Sequence, residues 1–188
     1  NDGAMTESLP FEMHYLGQRY KLLESITAGT YGQFFDVVSW LWEELDTDKQ
    51  YLKMVAVYAY PIISRSPYKF EGAELCYQLL QHQPYLTLIE TGSRYVPSLN
   101  HLLTQRQQAL RVPASPSTEQ LISRAAAATH RYAPAQLPWF EHLYNLASGS
   151  LREMEYLRSL PYAEVYLAEL AQARQKRIQQ AAQEQFEK

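Results

Sequence analysis

The chain of 188 residues has a single cysteine, Cys76, so it closes no intrachain disulfide and has too little sulfur for a structural zinc site. It has no apolar run long enough to cross a bilayer. Neither sign of charge dominates: the net charge is -3, which leaves no global basic field to draw the chain to nucleic acid. No charged-then-apolar leader precedes Met5, which speaks against export and, with the lone thiol, for a reducing cytoplasm. Residues 1–4 read as an expression scar, with Met5 as the native start. The five histidines, His14, His82, His101, His130 and His142, show no ligand spacing and no cysteine companion, so no metal is expected.

Other chemistry is missing too. Gly29 and Gly32 lack the lysine and spacing of a phosphate loop, and Glu43, Glu44, Asp46 and Asp48 are not spaced as a calcium loop. Ser148-Gly149-Ser150 lacks the strand-turn-helix setting of a nucleophile elbow. Cys76 lies on the apolar side of its helix beside Leu75 and Leu79; a nucleophile would need a histidine in hydrogen-bond reach and a lowered pKa, the sequence shows neither, and it reads as a small core residue. Arg19, Lys21, Arg65 and Lys69, with Tyr20 and Tyr68 among them, are two short basic-aromatic groups in an acidic chain. No catalytic residue and no cofactor is expected.

What is present is apolar and aromatic. Hydrophobic residues make up 46% of the chain and aromatic residues 13%, enough for a folded core and too much for a disordered chain. Phe11, Met13 and Tyr15 alternate with polar residues, Leu16-Gly17-Gln18 can turn, and Tyr20 and Leu22 resume, which predicts a β-hairpin. A helix started by Pro10 is the alternative over the same residues. Thr27 reads as a helix N-cap, after which Tyr31, Phe34, Phe35, Val38, Leu41, Trp42 and Leu45 form an apolar face with Asp36, Glu43 and Glu44 on the other side. Thr47 to Gln50 is a capping-box pattern ahead of Tyr51, Leu52, Val55, Tyr58, Ala59 and Ile62, and Pro61 is expected to kink or end that helix. A loop at 65–69 precedes a helix carrying Leu75, Cys76, Leu79 and Leu80. Residues 84–96 stay open between strand and helix, and Pro97 suits the start of a helix through Leu99, Leu102, Leu103 and Leu110. Val112-Pro113-Ala114-Ser115-Pro116 reads as a linker, with a capped helix after Ser117.

The last stretch states its shape most clearly. Trp139, Phe140, Leu143 and Leu146 recur at helical spacing, Gly149 stops the run, and Ser150 to Glu153 reads as a capping box. Leu160-Pro161 breaks and restarts the chain, and Tyr166, Leu167, Leu170, Arg174 and Ile178 trace one face of a final helix whose glutamine-rich end is expected to stand in solvent.

Two segments carry a resemblance. Tyr15-Leu16-Gly17-Gln18-Arg19-Tyr20-Lys21-Leu22 followed by Ile26-Thr27-Ala28-Gly29 resembles the opening of bacteriophage tail assembly chaperones and related tail or baseplate assembly proteins, and Leu143 to Leu151 with Leu157 and Leu160-Pro161 is similar to their closing segment. Residues 51–138 have no counterpart in that group. The resemblance implies a non-enzymatic protein that shields apolar surface on a tail or tape-measure protein until assembly, in the host cytoplasm or on the virion.

The sequence therefore predicts a mainly α fold: a compact multi-helix domain with a small N-terminal β-hairpin and a protruding C-terminal helix. Residues 5–112 are expected to hold the hairpin and helical core, and 113–188 a C-terminal helical segment packed on or projecting from it. The expected function is contact with a protein partner, a phage tail, tape-measure or baseplate protein, or with a second copy, and no membrane or nucleic acid. Tyrosine suits such contact because it offers large area with few rotors, and there are 15. The expected contact residues are Tyr144, Tyr162, Val165, Tyr166, Leu167, Leu170, Arg174 and Ile178, against the competing reading that the last helix buries one stripe in its own fold. The alternatives are a small helical enzyme or ligand binder with a pocket built by the fold, and a nucleic-acid-binding helical module.

Overall fold

A computed structural model describes residues 11–43, 46–83, 86–110 and 136–186. The linker at 112–116, the helix expected after Ser117, the 112/113 boundary and His130 lie outside the described residues, as do the side chains of Leu41, Trp42, Trp139 and Phe140. The fold is helical with one N-terminal hairpin, and no described helix is long and apolar enough to cross a membrane.

Strands β1 (Glu12–Tyr15) and β2 (Gln18–Lys21) pair antiparallel, with Met13 opposite Tyr20 and Tyr15 opposite Gln18. Leu16 and Gly17, at φ 49 and 75, form the two-residue turn; positive φ at both central positions matches the twist of the strands. Met13 and Leu22 are buried beneath the ribbon.

The next element corrects an expectation. Thr27 does not cap the first long helix: Ser25 caps a single 3-10 turn at Ile26–Ala28, and helix α1 (Tyr31–Glu43) begins only after Thr30. Its start is a reciprocal box in which the Thr30 N–H donates to Gln33 Oε1 at 2.8 Å and the Gln33 N–H donates to Thr30 Oγ1 at 3.3 Å. Helix α1 is buried on more sides than its apolar stripe implied. Tyr31, Phe34, Val37, Val38 and Trp40 are in the core, Phe35 is half-buried, and Asp36, expected on the solvent side, is buried.

Helix α2 (Thr47–Ser64) is capped by Asp46, which accepts from the N–H groups of Asp48 and Lys49, so Thr47 lies inside the helix and not at its cap. Every residue from Met54 to Ala59 is buried, as an all-round apolar helix must be. One side of α2 (Met54, Val57, Tyr58) joins a core with Phe34 and Val37 of α1 and with Tyr95, Leu99, Leu143, Met154 and Val165; the other (Leu52, Val55, Ala56, Ala59) joins a core with Met13 and Leu22 by the hairpin and with Cys76, Leu80 and Leu88. Each such apolar side chain contributes about 1.5–3 kcal/mol.

Pro61 neither ends nor needs to break α2, which runs three residues further to an Arg65 in the left-handed region, φ 52. Proline at 61 has no N–H for the carbonyl of Val57, four residues earlier. That carbonyl instead accepts from Gln33 Nε2 at 3.1 Å. One buried amide thus caps α1 with its oxygen and repairs α2 with its nitrogen.

Helix α3 (Phe70–Leu80) buries Ala73, Cys76 and Leu80 and leaves Leu75 and Leu79 exposed, so the apolar side assigned to Leu75, Cys76 and Leu79 is offset from the real one. The open stretch 84–96 is helical where described: α4 (Leu86–Ser93) is followed after one residue by α5 (Tyr95–Leu110). A Cβ on Gly92 would stand 2.3 Å from the Tyr51 carbonyl oxygen and 2.7 Å from its carbon, so α2 and α4 touch backbone to backbone there. Gly92→Ala is expected to force the two helices apart and to cost about 1–3 kcal/mol, read as a lower urea midpoint at unchanged slope.

Helices α6 (Gln136–Leu146), α7 (Leu151–Ser159) and α8 (Tyr162–Phe186) follow the expected order of helix, turn, helix, break, helix. Ser148 and Gly149, at φ 50 and 78, turn the chain, and Ser150 accepts from the Glu153 N–H. At the Leu160-Pro161 break, the Tyr31 N–H donates to the Leu160 carbonyl at 2.9 Å and the Tyr162 N–H to the Gly29 carbonyl at 3.0 Å. The starts of α1 and α8 are therefore tied side by side, and Leu143, Ala147, Met154, Tyr162 and Val165 share one core with α1, α2 and α5.

Candidate functional site

The stripe Leu99, Leu102, Leu103 on α5 continues, at helical spacing, into Arg106, and the stripe Tyr162, Val165 on α8 continues into Glu169. Both charged side chains are thus carried into the core by the same periodicity that buries their apolar neighbours. They meet there in a fork: Arg106 Nη1 donates to Glu169 Oε2 and Nη2 to Oε1, each at 2.6 Å. Glu169 Oε1 also accepts from the Tyr31 hydroxyl at 2.7 Å and lies 2.7 Å from His142 Nε2 on α6. The guanidinium is 4.9 Å from the Phe34 ring centre and also donates to the Tyr162 hydroxyl at 3.2 Å, while the Tyr31 and Tyr162 rings stack. Helices α1, α5, α6 and α8 converge on this node.

Burial works against the Glu169 charge, but the hydrogen bonds from His142 and Arg106, the Arg106 charge and the Tyr31 hydroxyl outweigh it and hold the carboxyl at about 2. Burial raises the Tyr31 hydroxyl well above its ordinary value, and the adjoining Glu169 charge raises it further. The carboxylate is therefore ionised and the phenol neutral, with the proton on the donor side of each bond. Chemically this is a clamp: four donors surround one anion.

A second pair lies along α1. Asp36 accepts from Arg158 Nη2 on α7 at 2.6 Å and from the Tyr68 hydroxyl at 2.7 Å. Burial raises the Asp36 carboxyl above its ordinary value, and Arg158 and Tyr68 offset this only in part. Beside this pair are two adjoining depressions sharing Thr30, Pro67, Tyr68 and Ser159. The larger, about 540 Å³, carries Lys69, Glu71, Glu155 and Arg158; the smaller, about 390 Å³, is walled by Leu23, Ala28, Tyr58, Pro61, Ile62 and Pro161.

The expected contact residues divide by burial. Tyr162 and Val165 are buried in the protein's own core, Tyr162 because its ring lies between Phe34 and Tyr31, so these two are not available to a partner. Tyr166 and Leu170 are half-buried on the flanks of α8; Tyr144, Leu167, Arg174 and Ile178 are exposed. Cys76 is buried and its thiol is pushed up to about 11 by that burial, which leaves it protonated and poorly nucleophilic. No group of three or more metal-ligating side chains occurs among the described residues. Arg106, Glu169, His142, Asp36 and Arg158 were not singled out by the sequence as a set; the one signal was a charge falling on an otherwise apolar stripe.

Comparison with models of known protein families, with curated proteins and with solved structures finds no match for the chain.

Proposed function

We propose that the chain is a non-enzymatic protein-protein interaction factor that presents the distal half of α8 to a partner, in the manner of a phage tail or baseplate assembly protein binding a tail or tape-measure protein. The observation that carries this reading is the contrast within one helix. The root of α8 is pinned by Glu169 in the core, whereas every residue from Arg174 to Gln183 is exposed. At 3.6 residues per turn, Leu167, Ala171, Arg174 and Ile178 align on the side opposite Val165 and Glu169. Leu167 and Ile178 are 66% and 59% exposed, a spaced pair of apolar contacts of the kind a partner groove accepts. A fixed root reduces the ordering cost of docking, because the helix is already positioned when the partner arrives.

Co-expression of the full chain with a tape-measure or tail protein is the test. The partner's soluble fraction is expected to rise, and the double substitution Leu167→Asp with Ile178→Asp is expected to abolish co-purification while changing the unfolding free energy by no more than about 0.5 kcal/mol. Undiminished co-purification of the doubly substituted chain would remove α8 as the contact surface. No gain in solubility with any tail protein would remove the assembly role.

A further inference from the structure

Residues three apart on a helix are neighbours, so Glu155 and Arg158 on α7 stand where an ion pair normally closes. It does not close here. Arg158 turns to Asp36 on α1, donating one N–H at 2.6 Å, and its guanidinium lies 5.1 Å from the Phe35 ring centre. Asp36 takes that one N–H, and the rest of the fork has no hydrogen-bond partner among the described residues. Burial works against the Arg158 charge, but Asp36, Tyr68 and Glu155 together outweigh it, so Glu155 lies within the field of the guanidinium without bonding to it. The arginine side chain is 18% exposed, and it is already fixed and largely dry before any ligand arrives.

Both residues line the larger depression, whose volume of about 540 Å³ is that of a small-molecule site. Lys69 and Glu71, at the start of α3, add charges of both signs to its wall. No ion pair joins any two of these four side chains among the described residues. Lys69 also supplies no capping side chain, so the first N–H groups of α3 are left without a side-chain acceptor beside Phe70 and Glu71. A simple anion in this depression would meet Glu71 and Glu155; a simple cation would meet Lys69 and Arg158. A ligand that carries both charges a few bonds apart meets neither objection.

We propose that the depression binds a free α-amino acid, with its carboxylate on Arg158 and the start of α3, its ammonium on Glu155 and its side chain against Pro67 and Phe70. Opposite charges one helical turn apart match the short separation of the two groups in that class of molecule. The site goes beyond the partner contact of α8 and does not rest on it.

The test titrates the full chain with L-phenylalanine and with its two half-charged analogues, 2-phenylethylamine and 3-phenylpropanoate, followed by amide NMR shifts. Saturable shifts at Thr30, Phe70, Glu71 and Ser159 are expected with the amino acid, at concentrations about tenfold below those either analogue requires. Glu155→Gln changes an exposed side chain and is expected to leave the melting temperature in place, to weaken phenylalanine about tenfold and to spare 3-phenylpropanoate. Arg158→Lys keeps a charge for Asp36 but loses the planar fork, and is expected to weaken both carboxylates and spare 2-phenylethylamine. Equal response to the three probes, no saturable shift at those amides, or a preference for phenylalanine that survives Glu155→Gln overturns the proposal.

Discussion

Replacing Arg106 with methionine is expected to lower the unfolding free energy by about 3–5 kcal/mol, because it leaves the Glu169 carboxylate in the core without its forked partner. Methionine approximates the volume of the side chain, so the loss reports charge more than packing. His142 and Tyr31 still donate to the anion, which keeps the effect at the lower end of that range. Adding Glu169→Met removes the orphaned charge, and the double variant is expected to be more stable than Arg106→Met alone. Urea midpoints of the four proteins decide it; simple additivity would mean that the two side chains act independently. Acid gives a second reading of the same node. The Glu169 carboxyl is lowered from 4.5 unfolded to about 2 folded, so its stabilisation is complete above the unfolded value and is lost as pH falls from there through about 2. The size of that loss is about 3 kcal/mol. Asp36 acts in the opposite sense, since a raised carboxyl binds its proton more tightly folded than unfolded. Glu169→Gln is therefore expected to lose most of the stability fall between pH 4.5 and 2, measured by chemical denaturation across that window.

Gln33→Leu is expected to cost about 2–4 kcal/mol even though it places an apolar residue at a buried site. Leucine fills the space but strands two backbone groups, the Thr30 N–H at the start of α1 and the Val57 carbonyl beneath Pro61. The second loss has a built-in control. Pro61→Ala restores an N–H four residues beyond Val57, so Gln33→Leu is expected to cost about 1 kcal/mol less in that background. An equal cost in both backgrounds would mean that the side-chain nitrogen does not substitute for the missing helical bond.

Local signals were legible where a single residue type enforces a backbone shape. Gly17 in the hairpin turn, Gly149 with Ser150 between α6 and α7, and Pro161 at the head of α8 all stand where their conformational preferences place them. The start of α1 was misplaced by three residues because Thr27 and Thr30 are both plausible caps, and only the Gln33 side chain, three residues after Thr30, distinguishes them. The clamp was less legible for a different reason. Arg106 and Glu169 are 63 positions apart, and a helix stripe shows that a charge is buried without showing what neutralises it. Asp36 fell to the solvent side by the same reasoning, since its apolar neighbours describe one stripe and α1 is enclosed on several. On α8, periodicity ran the apolar face through Leu167 and Ile178, whereas the tyrosines of the core draw in Tyr162 and Val165 instead.

The tie between Thr30 and Pro161 has a consequence for synthesis. A ribosome releases α1, α2 and α5 well before it polymerises α8, so Tyr31, Phe34 and Arg106 emerge into water with their closing partners not yet made. Until Glu169 leaves the exit tunnel, the nascent chain exposes an aromatic surface around an unneutralised guanidinium, the kind of intermediate that aggregates or recruits cellular chaperones. Closure of the clamp therefore waits for α8, the last of the described helices to be made.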